Sequence, residues 1–161
     1  MRAFVTYVRR PLLEYASCVW SPHSVSQIKK IASVQRRFTK RVLCCSGFQY
    51  SERLAKLGVV SLELRRLRLD LIYVYKLLFG IFDADVPSLF VVNNVDTVTR
   101  GHSHKLFVQQ SRSDPRKYFF SNRVIQSWNS LPVTPENFSS LACFRRFLQQ
   151  TDLSKFTIGS N

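Results

Sequence analysis

The stretch SLELRRLRLDLIYVYKLLFG, residues 61–80, decides the fold class of this chain. Its apolar residues recur every three or four positions, which is the spacing of one face of an α-helix. Ser61 stands where an N-cap is expected and Gly80 where a C-cap is expected. Towards Gly80 the apolar residues cover nearly the whole circumference, as is typical of a helix at the centre of a core. The sequence therefore predicts a mainly α protein built around this helix.

Helical patterns also occupy most of the chain on either side of this stretch. Between them, residues 83–115 lose the helical period and contain two short β-prone runs, FVV (90–92) and KLFV (105–108). We interpret that interval as a loop or a small hairpin. Helices are predicted over 2–20 with a kink or restart at Pro11, over 24–45, and over 51–57 with Gly58 at the C-cap. Two more are predicted over 116–131 and from a cap at Ser139 or Ser140 onwards.

These patterns divide the chain into five predicted segments. The chain is long enough for one domain, or for two small ones that share a core. The segments are a basic helical segment over 1–46, core helices over 47–82, an irregular segment or short hairpin over 83–115, C-terminal helices over 116–150 and a loose tail over 151–161.

Charge is the strongest global feature of the sequence. Lys and Arg number 24 against 10 acidic residues, which gives a net charge of +14, and residues 1–82 carry +11 of it. Self-repulsion at such a charge favours a polyanionic partner, either nucleic acid or an anionic membrane surface. A basic protein with neither partner is the alternative. Three arginines in the first half of the 61–80 helix are predicted to extend the basic surface: Arg65, Arg66 and Arg68.

The helix predicted over 24–45 concentrates this charge on one side. Its apolar positions form nearly a heptad seam, which Gln35 interrupts: Ile28, Ile31, Phe38 and Val42. The cations recur at spacings of three, four and seven on another part of its surface. We call these six residues the basic stripe: Lys29, Lys30, Arg36, Arg37, Lys40 and Arg41. The simpler alternative is that the stripe is only the solvated face of an amphipathic helix.

The cysteines and the N-terminus predict a location inside the cell. None of the four cysteines forms a C-x-x-C pair, and free thiols in a reducing compartment fit them best. The sequence begins with no recognisable signal peptide, and no apolar run approaches the 18 or so residues of a membrane span. We therefore expect a nuclear or cytoplasmic protein that is not secreted.

Catalytic and metal-binding patterns are weak throughout the sequence. The pair Asp83 and Asp85 is the nearest approach to a two-metal site, but solvated loop carboxylates are the simpler interpretation. His102 and His104 are better interpreted as surface or turn histidines, since no third ligand has a suitable spacing. We therefore expect no catalytic residue, no cofactor and no metal ion.

Several short strings, taken together and in order, resemble one protein family. The strings are YVRRPLLEYA (7–16), VWSP (19–22), VQRRFTKR (34–41), ERLAKLG (52–58), SLELRRLR (61–68), RGHS (100–103), FFSNRV (119–124) and WNSLP (128–132). They resemble the region after the palm in reverse transcriptases of non-LTR retrotransposons, the long interspersed elements of the jockey and chicken-repeat type. The resemblance covers residues 4–148.

The resemblance implies that residues 1–45 look like the polymerase thumb, a helical element that holds the template–primer duplex. The remainder looks like the helical region that follows the thumb. Fingers, palm, endonuclease and the aromatic-Ala-Asp-Asp turn of the family are missing from the sequence, and Arg9 with Arg10 adds charge that most relatives lack. The chain thus looks like a non-catalytic C-terminal fragment of an RNA-directed DNA polymerase. Arg9 and Arg10 join the basic stripe as predicted nucleic-acid contacts.

The partners expected from this resemblance are RNA or an RNA–DNA duplex, the reverse transcriptase palm, and a second copy of the chain. An alternative is a freestanding helical module that binds RNA or protein and derives from such an element. A membrane-surface role is not expected, because Phe38 is the only aromatic anchor on the apolar face of the stripe helix. Core packing is the simpler role for Tyr50, Tyr118 and Trp128, whereas for Trp20 core packing and base stacking both remain open.

Overall fold

A computed structural model describes residues 13–42, 47–82, 85, 89–93 and 102–157. These residues are mainly helical, which confirms the predicted class. The chain forms two compact units. Unit 1 comprises Met1–Leu67 with Leu153–Asn161, and unit 2 comprises Arg68–Asp152.

Six α-helices lie within the described ranges. They are α1 (Val25–Val42), α2 (Tyr50–Leu57), α3 (Leu62–Leu78), α4 (Asp114–Lys117), α5 (Phe120–Asn129) and α6 (Leu141–Gln150). Two 3-10 helices, Pro135–Phe138 and Ser154–Phe156, flank α6.

Local capping explains where several of these helices begin and end. The Ser61 hydroxyl accepts a hydrogen bond from the Leu64 amide at 3.3 Å at the start of α3. The Ser140 hydroxyl does the same for the Cys143 amide at 3.2 Å at the start of α6. Gly58 ends α2 with φ 60°. The predicted caps at all three residues are confirmed, because a capping contact depends only on residues within one turn of the helix.

Gly80 follows α3 with φ 65°, a backbone region that residues with a Cβ atom disfavour. A Cβ atom added at Gly80 or at Gly47 would meet no atom within 4 Å, and of these two glycines Gly80 alone has a positive φ. We therefore expect Gly80→Ala to lower the free energy of unfolding by about 1 kcal/mol, whereas Gly47→Ala leaves it within about 0.5 kcal/mol of wild type. Urea denaturation of the two variants measures the difference, and equal stabilities would contradict it.

The core of unit 2 is a cluster of aromatic rings around α3, α5 and α6. Phe144 stacks on Tyr75 with ring centroids 4.7 Å apart and lies 5.7 Å from both Trp128 and Phe138. The Tyr75 hydroxyl donates a hydrogen bond to the Phe138 carbonyl at 2.9 Å, so its buried oxygen is satisfied. The apolar second half of α3 therefore lies in this core, as its sequence predicted, with Leu71, Val74 and Leu77 buried beside Tyr75.

The interval predicted as a loop or hairpin contains one short antiparallel pairing among its described residues. Val92 pairs with Leu106, and the Phe107 amide donates to the Val91 carbonyl at 2.8 Å. The Asn129 side chain bonds both the amide and the carbonyl of Leu106, at 2.9 and 2.8 Å. This pairing fits the two β-prone runs, and the connection over 94–101 lies outside the described residues.

Three predicted boundaries are wrong within the described residues. Of the helix predicted over 2–20 the structure describes residues 13–20, and only Leu13 and Glu14 among them are helical, because Ala16 has φ 49° and the chain turns there. The helix predicted over 116–131 is two helices, α4 and α5, since Phe119 adopts an extended conformation between them. The described part of the tail predicted to be loose, residues 151–157, is ordered, since Leu153 is buried and a 3-10 helix follows it.

Candidate nucleic-acid interface

Helix α1 positions the basic stripe. At 100° per residue, its six cations lie within an arc of about 140° and extend over about 18 Å of helix. The arc holds two rows, one with Lys29, Arg36 and Lys40 and the other with Lys30, Arg37 and Arg41. All of these side chains are exposed except Arg36, which is half-buried. The stripe is thus one continuous surface.

The opposite side of α1 is buried and fixes the rotation of the helix. Ile28, Gln35 and Thr39 are its most buried residues. The Gln35 amide nitrogen donates to the Val60 carbonyl at 3.1 Å, and its amide oxygen accepts from the Tyr50 hydroxyl at 3.1 Å. Gln35 therefore interrupts the apolar seam without leaving an unsatisfied polar group, and the seam turns the stripe outward.

The charge of the stripe is not neutralised by its own helix, because α1 contains no acidic residue. Lys29, Lys30, Arg37 and Lys40 also have no carboxylate within ion-pair distance among the residues that the structure describes. Lys40 and Arg41 in the last turn complement the negative end of the helix dipole. Most of the stripe therefore faces solvent as uncompensated positive charge.

Arg36 also takes part in packing. Its guanidinium carbon lies 5.0 Å from the centroid of the Tyr50 ring, and that of Arg53 lies 5.9 Å from the same ring. Arg53 is buried and donates to the Phe48 carbonyl at 3.0 Å. Arg36 is therefore held at the edge of the stripe, where it presents less of its surface to a ligand than its neighbours do. Arg9 and Arg10, the other two predicted contacts, lie outside the described residues.

The prediction that three arginines of α3 extend the basic surface is wrong for Arg66, whereas Arg65 and Arg68 are half-buried. Arg66 is buried and donates to the carbonyls of Leu13 and Trp20, at 3.0 and 2.5 Å. Arg65 forms an ion pair with Glu14 at 2.6 Å. Arg68 is half-buried and donates to the Gln149 carbonyl at 3.3 Å, and burial lowers the pKa of its guanidinium. All three arginines hold the fold together.

His102 is a buried core residue, so its interpretation as a surface or turn histidine is wrong. Its Nε2 lies 3.0 Å from the Trp128 carbonyl, and its ring lies 5.5 Å from that of Phe138. Burial lowers the pKa of the His102 imidazole, which favours the neutral form. His104 is half-buried and contacts the Ser103 hydroxyl through Nδ1 at 3.1 Å.

The aspartate pair that the sequence offered as the nearest approach to a metal site is only partly described. Asp85 is exposed, and Asp83 lies outside the described residues. No group of three or more potential metal ligands occurs within the described ranges.

Core packing is confirmed for Trp128, which is fully buried, whereas Tyr50 and Tyr118 are half-buried. Trp20 is exposed, and its contact with Arg66 could not be predicted from sequence patterns because the two residues are 46 positions apart.

Compared with protein-family models, curated proteins and solved structures, the chain gives no match. The likeness to a reverse transcriptase thumb therefore stays a prediction from the quoted strings. Among the described helices, none combines the length and apolar character that crossing a membrane requires.

Proposed function

We propose that this chain is a non-catalytic module that binds the sugar–phosphate backbone of nucleic acid along the basic stripe of α1. The observation that carries the proposal is the shared, exposed position of four cations on a helix without acidic residues: Lys29, Lys30, Arg37 and Lys40. Lysine and arginine that neutralise phosphates release condensed counterions, and this release supplies most of the affinity of sequence-independent binding.

The shape of the stripe favours a backbone over a single small anion. Its length of about 18 Å is about five times the 3.4 Å spacing of phosphates along one strand of a duplex. Contacts of this kind position a duplex without reading its sequence. We therefore propose binding that is strong at low salt and indifferent to base sequence.

The resemblance to the thumb of non-LTR retrotransposon reverse transcriptases suggests the particular ligand. A thumb holds the template–primer duplex while the palm performs the chemistry, so the proposed ligand is an RNA template paired with a DNA primer. A freestanding RNA-binding module derived from such an element would use the same stripe. The genomic sequence upstream distinguishes the two, because only the first predicts an adjoining frame that encodes a palm.

The salt dependence of binding tests the proposed function directly. We expect the logarithm of the association constant to fall linearly with the logarithm of salt concentration, with a slope of about −4 to −7 for roughly five to eight contacted phosphates. Fluorescence anisotropy of a labelled RNA–DNA hybrid, titrated at several salt concentrations, measures the slope. A second hybrid of equal length and unrelated sequence is the control. A slope near zero, or a large difference between the two hybrids, would contradict the proposal.

A further inference from the structure

Trp20 is an exposed aromatic ring that the structure holds in a fixed orientation. Its side chain is 40% exposed, although its indole Nε1 donates a hydrogen bond to the Tyr15 carbonyl at 2.8 Å. The guanidinium carbon of Arg66 lies over the ring, 4.0 Å from its centroid. The indole is thus held at its edge and on one face, while Trp20 as a whole is 40% exposed to solvent. We call Trp20 with the underlying Arg66 the Trp20 platform.

Arg66, which lies on the other side of this contact with the Trp20 ring, is itself held in one position by hydrogen bonds. Arg66 is buried, and its two terminal nitrogens donate to the carbonyls of Leu13 and Trp20. The neighbouring Arg65 forms an ion pair with Glu14, which ties the same segment to α3. Because these contacts restrict the rotation of the indole before any ligand arrives, a ligand that stacks on it loses little side-chain freedom on binding.

The backbone before Trp20 adopts a conformation that a residue with a Cβ atom disfavours. Ala16 has φ 49°, and its carbonyl accepts hydrogen bonds from the amides of Val19 and Trp20 at 2.9 and 3.0 Å. The resulting turn leaves three large side chains in solvent, of which Tyr15 is 78% exposed. Such backbone conformations often accompany binding sites, because the surrounding structure must hold them in place.

The charge of the sequence that follows Trp20 indicates the chemical class of its ligand. No acidic residue occurs between Glu14 and Glu52, so Trp20 stands at the beginning of a long, exclusively basic stretch that includes α1. Chain length alone limits the distance between the Cα atoms of Trp20 and Lys29 to about 24 Å. A strand of about seven nucleotides at 3.4 Å spacing covers this distance. A strand that extends by about seven nucleotides beyond the basic stripe is therefore long enough to meet the indole.

We propose that the Trp20 platform stacks against an unpaired nucleobase of the strand whose phosphates the basic stripe holds. This inference rests on the proposed function and adds to it a site for single-stranded nucleic acid. Every base has a π-face, so stacking on an indole tolerates any sequence. The natural ligand for both sites is then a duplex with a single-stranded extension.

The two tryptophans of the chain allow a direct spectroscopic test. Trp20 is 40% exposed and Trp128 is fully buried. Trp128→Phe leaves Trp20 as the only tryptophan, and Trp20→Phe leaves Trp128. We expect a single-stranded oligonucleotide to quench the emission of the Trp128→Phe variant and to leave that of the Trp20→Phe variant unchanged. An abasic strand of equal length is the matched ligand, and it should bind through its phosphates without quenching.

Affinity provides the second measurement. We expect Trp20→Ala to weaken binding of a hybrid with a single-stranded extension by about 5- to 150-fold, which is the range for the loss of one stacked base. Binding of the blunt hybrid should change by less than about 2-fold, since a blunt hybrid offers no unpaired base. Val19→Ala, at the exposed neighbouring position, is the control and should alter neither affinity. If Trp20→Ala fails to fold, the quenching of the Trp128→Phe variant still decides the question.

The possible failures can be told apart. If no oligonucleotide binds at low salt, the proposed function is wrong. If the hybrids bind with the expected salt slope but Trp20 is not quenched, only the stacking site is wrong. A change of Trp20 emission with protein concentration alone would show that a second copy of the chain covers the indole, and this result would also overturn the stacking site.

Discussion

Simultaneous replacement of Lys29, Lys30, Arg37 and Lys40 by glutamate is expected to weaken binding of an RNA–DNA hybrid by about three orders of magnitude at about 0.15 M salt. Each cation lost from a phosphate removes about 0.9 from the magnitude of the log–log salt slope, so four lost contacts reduce it by about 3.6. The magnitude of the salt slope and the affinity should therefore both be lower in this variant than in the wild type. Arg36 is not replaced in this variant, because its guanidinium packs over the Tyr50 ring and its loss would disturb that contact.

A matched variant separates the basic stripe from net charge alone. Reversing Arg112, Lys117, Arg145 and Arg146, which are exposed in unit 2, changes the net charge by the same amount. We expect this control variant to keep the wild-type salt slope and to lose less than about tenfold in affinity, through long-range repulsion that salt screens. Equal losses in the two variants would mean that the stripe is only part of a diffuse positive field.

The fold of the charge-reversed variant needs its own check. Glutamate near the end of α1 is unfavourable to the helix dipole by about 0.3–1 kcal/mol at low ionic strength, whereas glutamate near its beginning is favourable by a similar amount. Of the four positions only Lys40 lies in a terminal turn of α1, so we expect a destabilisation of no more than about 1 kcal/mol from the dipole. Circular dichroism and the urea midpoint should therefore stay near wild type. A variant with glutamine at the same four positions provides a second, weaker test.

Helix α1 shows how much of the interface the sequence alone can predict. The six cations and the apolar seam are local patterns, so helical periodicity places them on opposite sides without knowledge of the fold. Ser61 and Gly58 could be assigned to helix ends for the same reason. The burial of Gln35 could not be predicted in this way, since it depends on hydrogen bonds with Val60 and Tyr50 from other segments.

Arg66 shows where prediction from the sequence fails. It lies two residues before Arg68 and looks like any other cation of an amphipathic helix. Its hydrogen-bond partners, Leu13 and Trp20, are 53 and 46 positions away, so no local pattern distinguishes it from an exposed arginine. The same holds for His102, whose burial depends on Trp128 and Phe138. The contact of Arg66 with Trp20 could therefore not be predicted from sequence patterns, which left both core packing and base stacking open for Trp20.

The aromatic cluster of unit 2 predicts the largest effect on stability. Phe144 is 0% exposed and lies against the rings of Tyr75, Trp128 and Phe138. We expect Phe144→Ala to lower the free energy of unfolding by about 3–5 kcal/mol, because the truncation removes buried apolar surface and leaves a cavity among rings that cannot all shift inward. A loss of this size is a large part of the roughly 5–15 kcal/mol that typically stabilises a folded protein. Urea and thermal denaturation measure it.

Phe107→Ala is the matched control, since it makes the same substitution in the same unit at a side chain that is 53% exposed. We expect it to change the free energy of unfolding by less than about 0.5 kcal/mol, as is usual for surface positions. Binding of the RNA–DNA hybrid at a temperature where both variants are folded should be unchanged, because the basic stripe belongs to unit 1. If Phe144→Ala were as stable as Phe107→Ala, the ring cluster would not be the core of unit 2. If it lost hybrid affinity while folded, residues of unit 2 would have to contribute to the interface.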